Sequence, residues 1–182
     1  SVIALIFVFT ILRVLTAMVV NPLLLLANES RRIAALACRA LLYEVAVTPK
    51  PGLVDRANSG SHKDMDVCLF DLSAHTLQPY FERCVQIGQE TAHRPPEETF
   101  PLLRDAGLQA EKAMLRATGG VNTHKGAIYT LGILCGSVGR LWSAEKPIAD
   151  REEILAECAQ IVHTSVQKDF ASAKGKTAGE QL

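Results

Sequence analysis

The sequence predicts an all-α fold, a single compact multi-helix domain arranged around a buried central helix. Three observations carry this expectation. Apolar residues fill 48% of the 182 positions but aromatics only 5%, a surplus of Ala and Leu that suits helix packing better than a β-sandwich. Apolar positions recur at spacings of three and four through most of the chain, and no useful length alternates with a period of two. A chain of this length buries about 70% of its unfolded surface, which provides for one sizeable core and not for a second full domain.

Residues 1–27 form a hydrophobic N-terminal segment and residues 28–182 the helical domain. Between Val2 and Val20 the only charge is Arg13, and the stretch is long enough to cross a bilayer as a helix. Two readings stand. One is a small membrane-anchored helical protein. The other takes Met18 as the biological start, residues 1–17 as upstream sequence, and the protein as soluble and cytoplasmic. Arg13 favours the second, because a charge near the middle of a span costs about 3 kcal/mol on insertion scales, and no small-residue cleavage site follows as a signal peptide requires.

The first helix is expected over Glu29–Val47, capped by Asn28 or Ser30, with Ile33, Leu36, Ala37, Ala40 and Leu41 at helical spacing. Pro49 and Pro51 end it, since proline lacks the N–H and biases its predecessor away from the α region. Met65, Leu69, Leu72, Thr76 and Leu77 form a second amphipathic face, which Pro79 kinks or restarts before Phe81 and Val85. His93 to Pro96 is a loop. Phe100, Leu103, Ala106, Ala110, Ala113, Met114 and Ala117 give the strongest helical signal. Asn122 to Trp142 is apolar nearly all round, with Gly126, Gly132, Gly136 and Gly139 as small faces, and is expected to be the central helix. Asp150 with Glu153 forms a capping box that opens a last helix carrying Ile154, Leu155, Cys158, Ile161 and Val162.

Nineteen basic and nineteen acidic residues give a formal charge of zero, so there is no positive field to release counterions from a nucleic acid. Nucleic-acid binding is disfavoured. Cys38, Cys68, Cys84, Cys135 and Cys158 form no CxxC pair, are odd in number and sit in apolar periodic stretches, which reads as reduced core cysteines. Zinc is disfavoured because no His falls at ligand spacing with a Cys.

Three polar clusters stand out from a simple solvated surface. Lys50-Pro-Gly-Leu-Val-Asp55-Arg56 sets two cations and a carboxylate around a Pro-Gly bend, either an inter-helix turn with a local ion pair or a loop that presents charge to a ligand. Gly60-Ser-His62-Lys63-Asp64-Met-Asp66 places two carboxylates two residues apart before a helix. Extended, they converge on a hard cation such as Mg²⁺; otherwise one of them caps the helix. Thr118-Gly119-Gly120-Val-Asn122-Thr123-His124-Lys125-Gly126 combines flexible glycines, capping side chains, a helix N-terminus and a cation, which together make an anion site without the spacing of a Walker loop.

The strings Thr48-Pro-Lys-Pro-Gly-Leu-Val-Asp-Arg56, Gly60-Ser-His-Lys-Asp-Met-Asp66 and Ala117-Thr-Gly-Gly-Val-Asn-Thr-His-Lys-Gly-Ala-Ile128 resemble, in content, order and spacing, the triphosphoribosyl-dephospho-coenzyme A synthase family. The resemblance covers roughly Arg32 to Leu182, and the final Thr177-Ala-Gly-Glu-Gln-Leu182 looks like the opening of a further family motif, so a C-terminally truncated chain is expected. It implies that the 2′-hydroxyl of dephospho-coenzyme A attacks the ribose C1′ of ATP and adenine leaves. The product is the prosthetic-group precursor of citrate lyase or malonate decarboxylase, passed to a separate acyl-carrier-protein transferase.

The implied α linkage in place of the β linkage of ATP means inversion by one direct displacement, which needs a carboxylate base, a proton or hydrogen bond for adenine and counter-charge for the triphosphate. Asp55, Asp64 and Asp66 are then the candidate bases, His124 the candidate partner of the leaving adenine, and Asp64 and Asp66 the candidate Mg²⁺ ligands. Substrate and phosphate contacts fall to Lys50, Arg56, His62, Lys63, Gly119, Gly120, Asn122, Thr123 and Lys125. A helical nucleotide- or coenzyme-binding protein without catalysis is the alternative.

Overall fold

The computed structural model describes residues 13, 16, 21–142 and 150–172. Five helices make up the described residues, α1 (Asn21–Ala46), α2 (Val67–Thr91), α3 (Thr99–Ala117), α4 (Lys125–Leu141) and α5 (Arg151–Ser172), with a short 3₁₀ turn over Pro96–Glu98 and no strand. The all-α expectation holds. None of the described helices is long and apolar enough to cross a membrane. The stretch from Val2 to Val20, including Met18, lies outside the described residues apart from Arg13 and Thr16.

The described part of helix α1 begins at Asn21, about two turns before Glu29, so Asn28 and Ser30 lie inside the helix and do not cap it. Ser30 is fully buried inside the helix, where its hydroxyl donates to the Leu26 carbonyl at 2.9 Å and reaches Gln89 Oε1 of α2 at 3.3 Å. A mid-helix serine that bonds back to residue i−4 carries the same sequence signal as a cap, which is why the start was misplaced. The end falls where the prolines put it.

Helix α2 opens on Asp66, which is extended at φ −137° and ψ 179° and accepts the Leu69 N–H at 2.9 Å. It does not restart at Pro79. That residue is solvent-exposed, so the carbonyl it leaves unpaired faces water, while Leu77 and Phe81 on either side are fully buried and hold the helix in place. Cys68 corrects the expectation for cysteines. It shares a face with the exposed Asp71, Leu72 and His75, three, four and seven residues on, and is itself exposed; all five cysteines are free thiols.

Helix α4 touches each of the other four helices, as a central helix must. Its glycines explain how. A Cβ on Gly88 of α2 would lie 2.0 Å from the Gly136 carbonyl oxygen, and one on Gly139 would lie 2.1 Å from that of Val85, so the two backbones meet with nothing between them. Gly132 makes room for Tyr80, whose hydroxyl donates to the Ile128 carbonyl at 2.8 Å. The C-terminal half of α4 is thereby buried, while Lys125, Gly126, Tyr129 and Thr130 at its start stay exposed. The core around these contacts includes Cys84, Val85, Met114 and Ile161, all without solvent exposure.

A polar hub ties the far end of the bundle together. Arg140 of α4 pairs with Glu157 of α5 and donates to the Thr91 and Arg94 carbonyls and to the Thr99 hydroxyl, which in turn bonds Thr91 Oγ1 at 2.9 Å. The buried guanidinium is thus fully surrounded by acceptors. At α5 the capping box forms reciprocally, Glu153 N–H to Asp150 Oδ1 at 2.9 Å and Asp150 N–H to Glu153 Oε2 at 3.1 Å.

Candidate functional site

The segment between α1 and α2 is a self-bonded loop. The Asp55 carboxylate is buried and accepts three main-chain N–H groups, from Lys50 at 3.0 Å, Ala57 at 2.8 Å and Asn58 at 3.0 Å. Those bonds, the Lys50 and Asn58 amides foremost, hold its carboxyl below the usual carboxylate range. Asn58 closes the turn, accepting the Gly60 N–H on its side chain at 2.8 Å and the Asp55 N–H on its carbonyl at 2.9 Å. Gly60 has φ +56°, and a Cβ there would lie 2.5 Å from the main chain of Gly52, so both the conformation and the space exclude a side chain. Lys50 does not point outward. Its Nζ donates to the carbonyl and to Oε1 of Glu44, both at 2.8 Å, where its charge also meets the negative end of the α1 dipole. Arg56 is exposed and His62 half-buried.

Lys63, Asp64, Asp66, Ser59 and Leu69 line an open pocket of ≈ 390 Å³ at the entrance to α2. One oxygen of Asp66 is engaged in the cap, and Asp64 is exposed. Among the described residues, no group of three or more His, Cys, Asp and Glu side chains converges as a metal site. The donor set of two neighbouring carboxylates in an open pocket still fits a Mg²⁺ that draws its other ligands from phosphate and water.

The third cluster joins α3 to α4. Gly119 takes φ +65° and the Gly120 N–H bonds the Leu115 carbonyl at 2.7 Å, a Schellman-type stop for α3. A Cβ at Gly119, Gly120 or Gly126 would meet nothing within 4 Å, so these three backbones border open space. Asn122 accepts the Lys125 N–H at 3.1 Å and so caps the start of α4. Lys125 Nζ pairs with Glu111 of α3 at 2.8 Å. Both residues line a cleft of ≈ 270 Å³ between α3 and α4, whose walls include Phe100, Leu108, Tyr129 and Arg104.

Behind this loop lies His124. Its Nδ1 is 2.8 Å from Ser73 Oγ of α2, and Ser73 Oγ accepts the Thr123 hydroxyl at 2.7 Å. Phe70 of α2 meets the imidazole edge-on with centroids 5.0 Å apart, and the His124 N–H points to Met114 Sδ at 3.3 Å. Burial pushes its pKa down to about 4, against a small opposing pull from the Glu44 carboxylate. Its Nε2 is buried without a hydrogen-bond partner among the described residues.

The first cluster holds Glu44 through Lys50, the Glu44 carboxylate acts electrostatically on His124, and Ser73 joins Thr123 to His124. No hydrogen bond or ion pair among the described residues links Asp64 or Asp66 to the Gly119–Lys125 segment; the second cluster reaches the third through α2, which starts at Asp66 and presents Phe70 and Ser73 to His124. Ser73, Glu111 and Asn58 are not singled out by the sequence. Only Asn58 carried a local signal, an Asn-Ser-Gly turn; the others depend on contacts between distant segments.

Comparison with known proteins decides the family. Residues 30–181 match the family model described as CitG: ATP:dephospho-CoA triphosphoribosyl transferase. The chain belongs to this family. A Vibrio cholerae serotype O1 (strain M66-2) protein named probable 2-(5''-triphosphoribosyl)-3'-dephosphocoenzyme-A synthase is 42% identical over 154 residues, 84% of this chain and 49% of that protein. The Klebsiella pneumoniae 2-(5''-triphosphoribosyl)-3'-dephosphocoenzyme-A synthase is 43% identical over 138 residues, 76% of this chain and 45% of its own length. A Haemophilus ducreyi (strain 35000HP / ATCC 700724) synthase of the same name is 49% identical over 114 residues, 63% of this chain and 35% of its own. This CitG-family chain thus spans about half the length, or less, of these curated relatives. No solved structure matches it.

Proposed function

We propose that this CitG-family protein transfers the triphosphoribosyl part of ATP to the ribose 2′-hydroxyl of dephospho-coenzyme A and releases adenine. One observation carries the reading beyond family membership. At the start of α4, three glycine backbones bordering open space, a helix N-terminus and Lys125 adjoin a largely apolar cleft, an arrangement suited to a ligand with a polyanionic end and an aromatic or alkyl end.

In this reaction the O2′–C1′ bond forms as the C1′–N9 bond breaks, and the proton lost by the hydroxyl is balanced by the one adenine gains. The transition state is oxocarbenium-like, so charge placement does most of the work. Lys125 and the first-turn amides of α4 receive the triphosphate, Gly119 and Gly120 allow its close approach, and Asn122 and Thr123 hold the turn in shape. Arg56, His62 and Lys63 add positive and donor groups along the loop before α2, and Lys50 acts on the same region through its hold on Glu44. Asp55, saturated by amide donors, is the brace of that loop. The base then falls to Asp64 or Asp66. Where these carboxylates hold Mg²⁺ instead of supplying the base, the ion would give counter-charge to the phosphates. The product carries a ribose triphosphate and passes to a separate acyl-carrier-protein transferase serving citrate lyase or malonate decarboxylase; the substrates place the reaction in the cytoplasm.

Chromatographic detection of adenine from ATP tests the proposal. Adenine formation by the whole protein is expected only when dephospho-coenzyme A is also present. Tight binding of both nucleotides with no adenine formed would replace the transferase with a binding protein.

A further inference from the structure

We infer that Ser73, itself held by Thr123, is a positioning residue that locks His124 in its Nε2–H tautomer, and that this N–H is a hydrogen-bond donor reserved for an acceptor atom of the nucleotide. The assignment of the acceptor rests on the transferase reading above; the tautomer does not.

The argument is a proton count. Ser73 has no solvent exposure, so its single hydroxyl proton must find an acceptor within the protein. Thr123 Oγ1 donates to Ser73 Oγ, which occupies the serine as an acceptor and leaves its own proton to place. The imidazole Nδ1, 2.8 Å away, is the one further side-chain partner Ser73 has among the described residues. If Nδ1 carried the imidazole proton, Ser73 Oγ would accept from both neighbours and the serine's own proton would be stranded in the core. With Nδ1 as the acceptor every hydroxyl in the chain of three is satisfied. The imidazole proton then sits on Nε2.

That nitrogen is where the satisfaction stops. His124 is 6% exposed, and its Nε2 is buried with no partner among the described residues. A buried donor without an acceptor destabilises the fold, and three side chains arranged to create one maintain it against that cost. Along the chain His124 follows Thr123, which completes the relay, and precedes Lys125, which lines the cleft; its own side chain is packed behind that lining. Two acceptors of ATP suit a neutral N–H in this place, a phosphate oxygen and a purine ring nitrogen. Either use makes His124 a fixed dipole rather than a proton carrier. The neutral state is reinforced by burial, which keeps the ring uncharged at neutral pH.

The test is ¹⁵N NMR of the whole protein labelled at histidine. The wild type is expected to show an acceptor-type Nδ1 and a protonated Nε2 for His124, a signature that a purely structural role for Ser73 does not require. Ser73→Ala and Thr123→Val are both expected to mix the tautomers with the helical circular dichroism unchanged, and Thr123→Ser to restore the wild-type pattern. Turnover in Ser73→Ala should fall roughly tenfold or more with a smaller change in the KM for ATP. Tripolyphosphate and adenosine, added separately, identify the acceptor by which of them moves the Nε2 signal. A wild-type spectrum with the proton on Nδ1 overturns the tautomer lock. An Nε2 signal that stays unmoved by ATP, tripolyphosphate and adenosine overturns the donor role. A protein that shows the locked tautomer and the ATP response yet releases no adenine refutes the transferase reading and leaves the His124 assignment standing.

Discussion

Lys125 at the first turn of α4 and Glu111 near the end of α3 form an ion pair of 2.8 Å beside the cleft between these helices. The Lys125 side chain is 60% exposed against 26% for Glu111, so the pair is worth little to stability and the ammonium is free to be recruited by a stronger anion. Lys125→Met keeps the alkyl stem and removes the charge. It should weaken ATP binding by about 1.5–3 kcal/mol, roughly ten- to hundred-fold, with an unchanged melting temperature. Glu111→Gln removes the competing carboxylate and should leave ATP binding equal or up to about fivefold tighter. Calorimetry on both variants checks the pair; unaltered affinity in Lys125→Met contradicts the phosphate assignment.

Asp66 and Asp64 separate capping from chemistry. Asp66→Asn retains an acceptor for the Leu69 N–H and should cost only a few tenths of a kcal/mol, whereas Asp66→Ala should cost about 1 kcal/mol. Asp64→Asn breaks no bond that holds the fold and should leave thermal stability intact. A base or Mg²⁺ role predicts that Asp64→Asn or Asp66→Asn slows adenine release at least a hundredfold without loss of structure. Near-normal rates in both would reduce these carboxylates to helix furniture.

Gly139→Ala introduces a Cβ 2.1 Å from the Val85 carbonyl oxygen, where only backbone movement relieves the clash. Separating α2 from α4 opens the core around Val85 and Cys84, and a loss of about 2 kcal/mol or more follows. Gly126→Ala, where a Cβ meets nothing, should instead be neutral or slightly stabilising. Denaturant titration of the two variants distinguishes a packing glycine from one that borders the site.

The buried His124 couples stability to pH. Its folded pKa of about 4 lies below the ordinary value of 6.5, so between these values the unfolded chain binds a proton that the folded chain does not. Stability is therefore complete above pH 6.5 and falls as pH drops toward 4, by on the order of 2 kcal/mol after allowance for screening. Glu44, paired with Lys50, opposes the shift only weakly. His124→Gln should flatten this part of the stability curve, and an unchanged slope in that variant would place the pH dependence elsewhere.

What the sequence made legible was what neighbours along the chain decide. The Asp150–Glu153 box, the proline stop after Val47 and the periodicity over Phe100–Ala117 all depend on residues within one turn, and each appears in the structure. Ser30 misled because a capping side chain and a buried mid-helix serine look alike until Gln89 arrives from 59 residues away. Pro79 misled because propensity ignores the packing of Leu77 and Phe81 around it. In the site, the chemical types in the three clusters were readable, but their partners were not. Lys50 and Asp55 read as the halves of a local ion pair or as charges offered to a ligand, whereas Asp55 takes three amide donors and Lys50 folds back on Glu44; Ser73 acquires its role when α4 sets His124 against it.

The central claim is a transfer to the coenzyme, and the mass of the product tests it most directly. Incubation of the whole protein with ATP and dephospho-coenzyme A should yield one new species whose mass equals the sum of the two substrates less adenine, and Lys125→Met should make the same species more slowly. Formation of adenylylated coenzyme with pyrophosphate, or recovery of both substrates unchanged, would contradict the account.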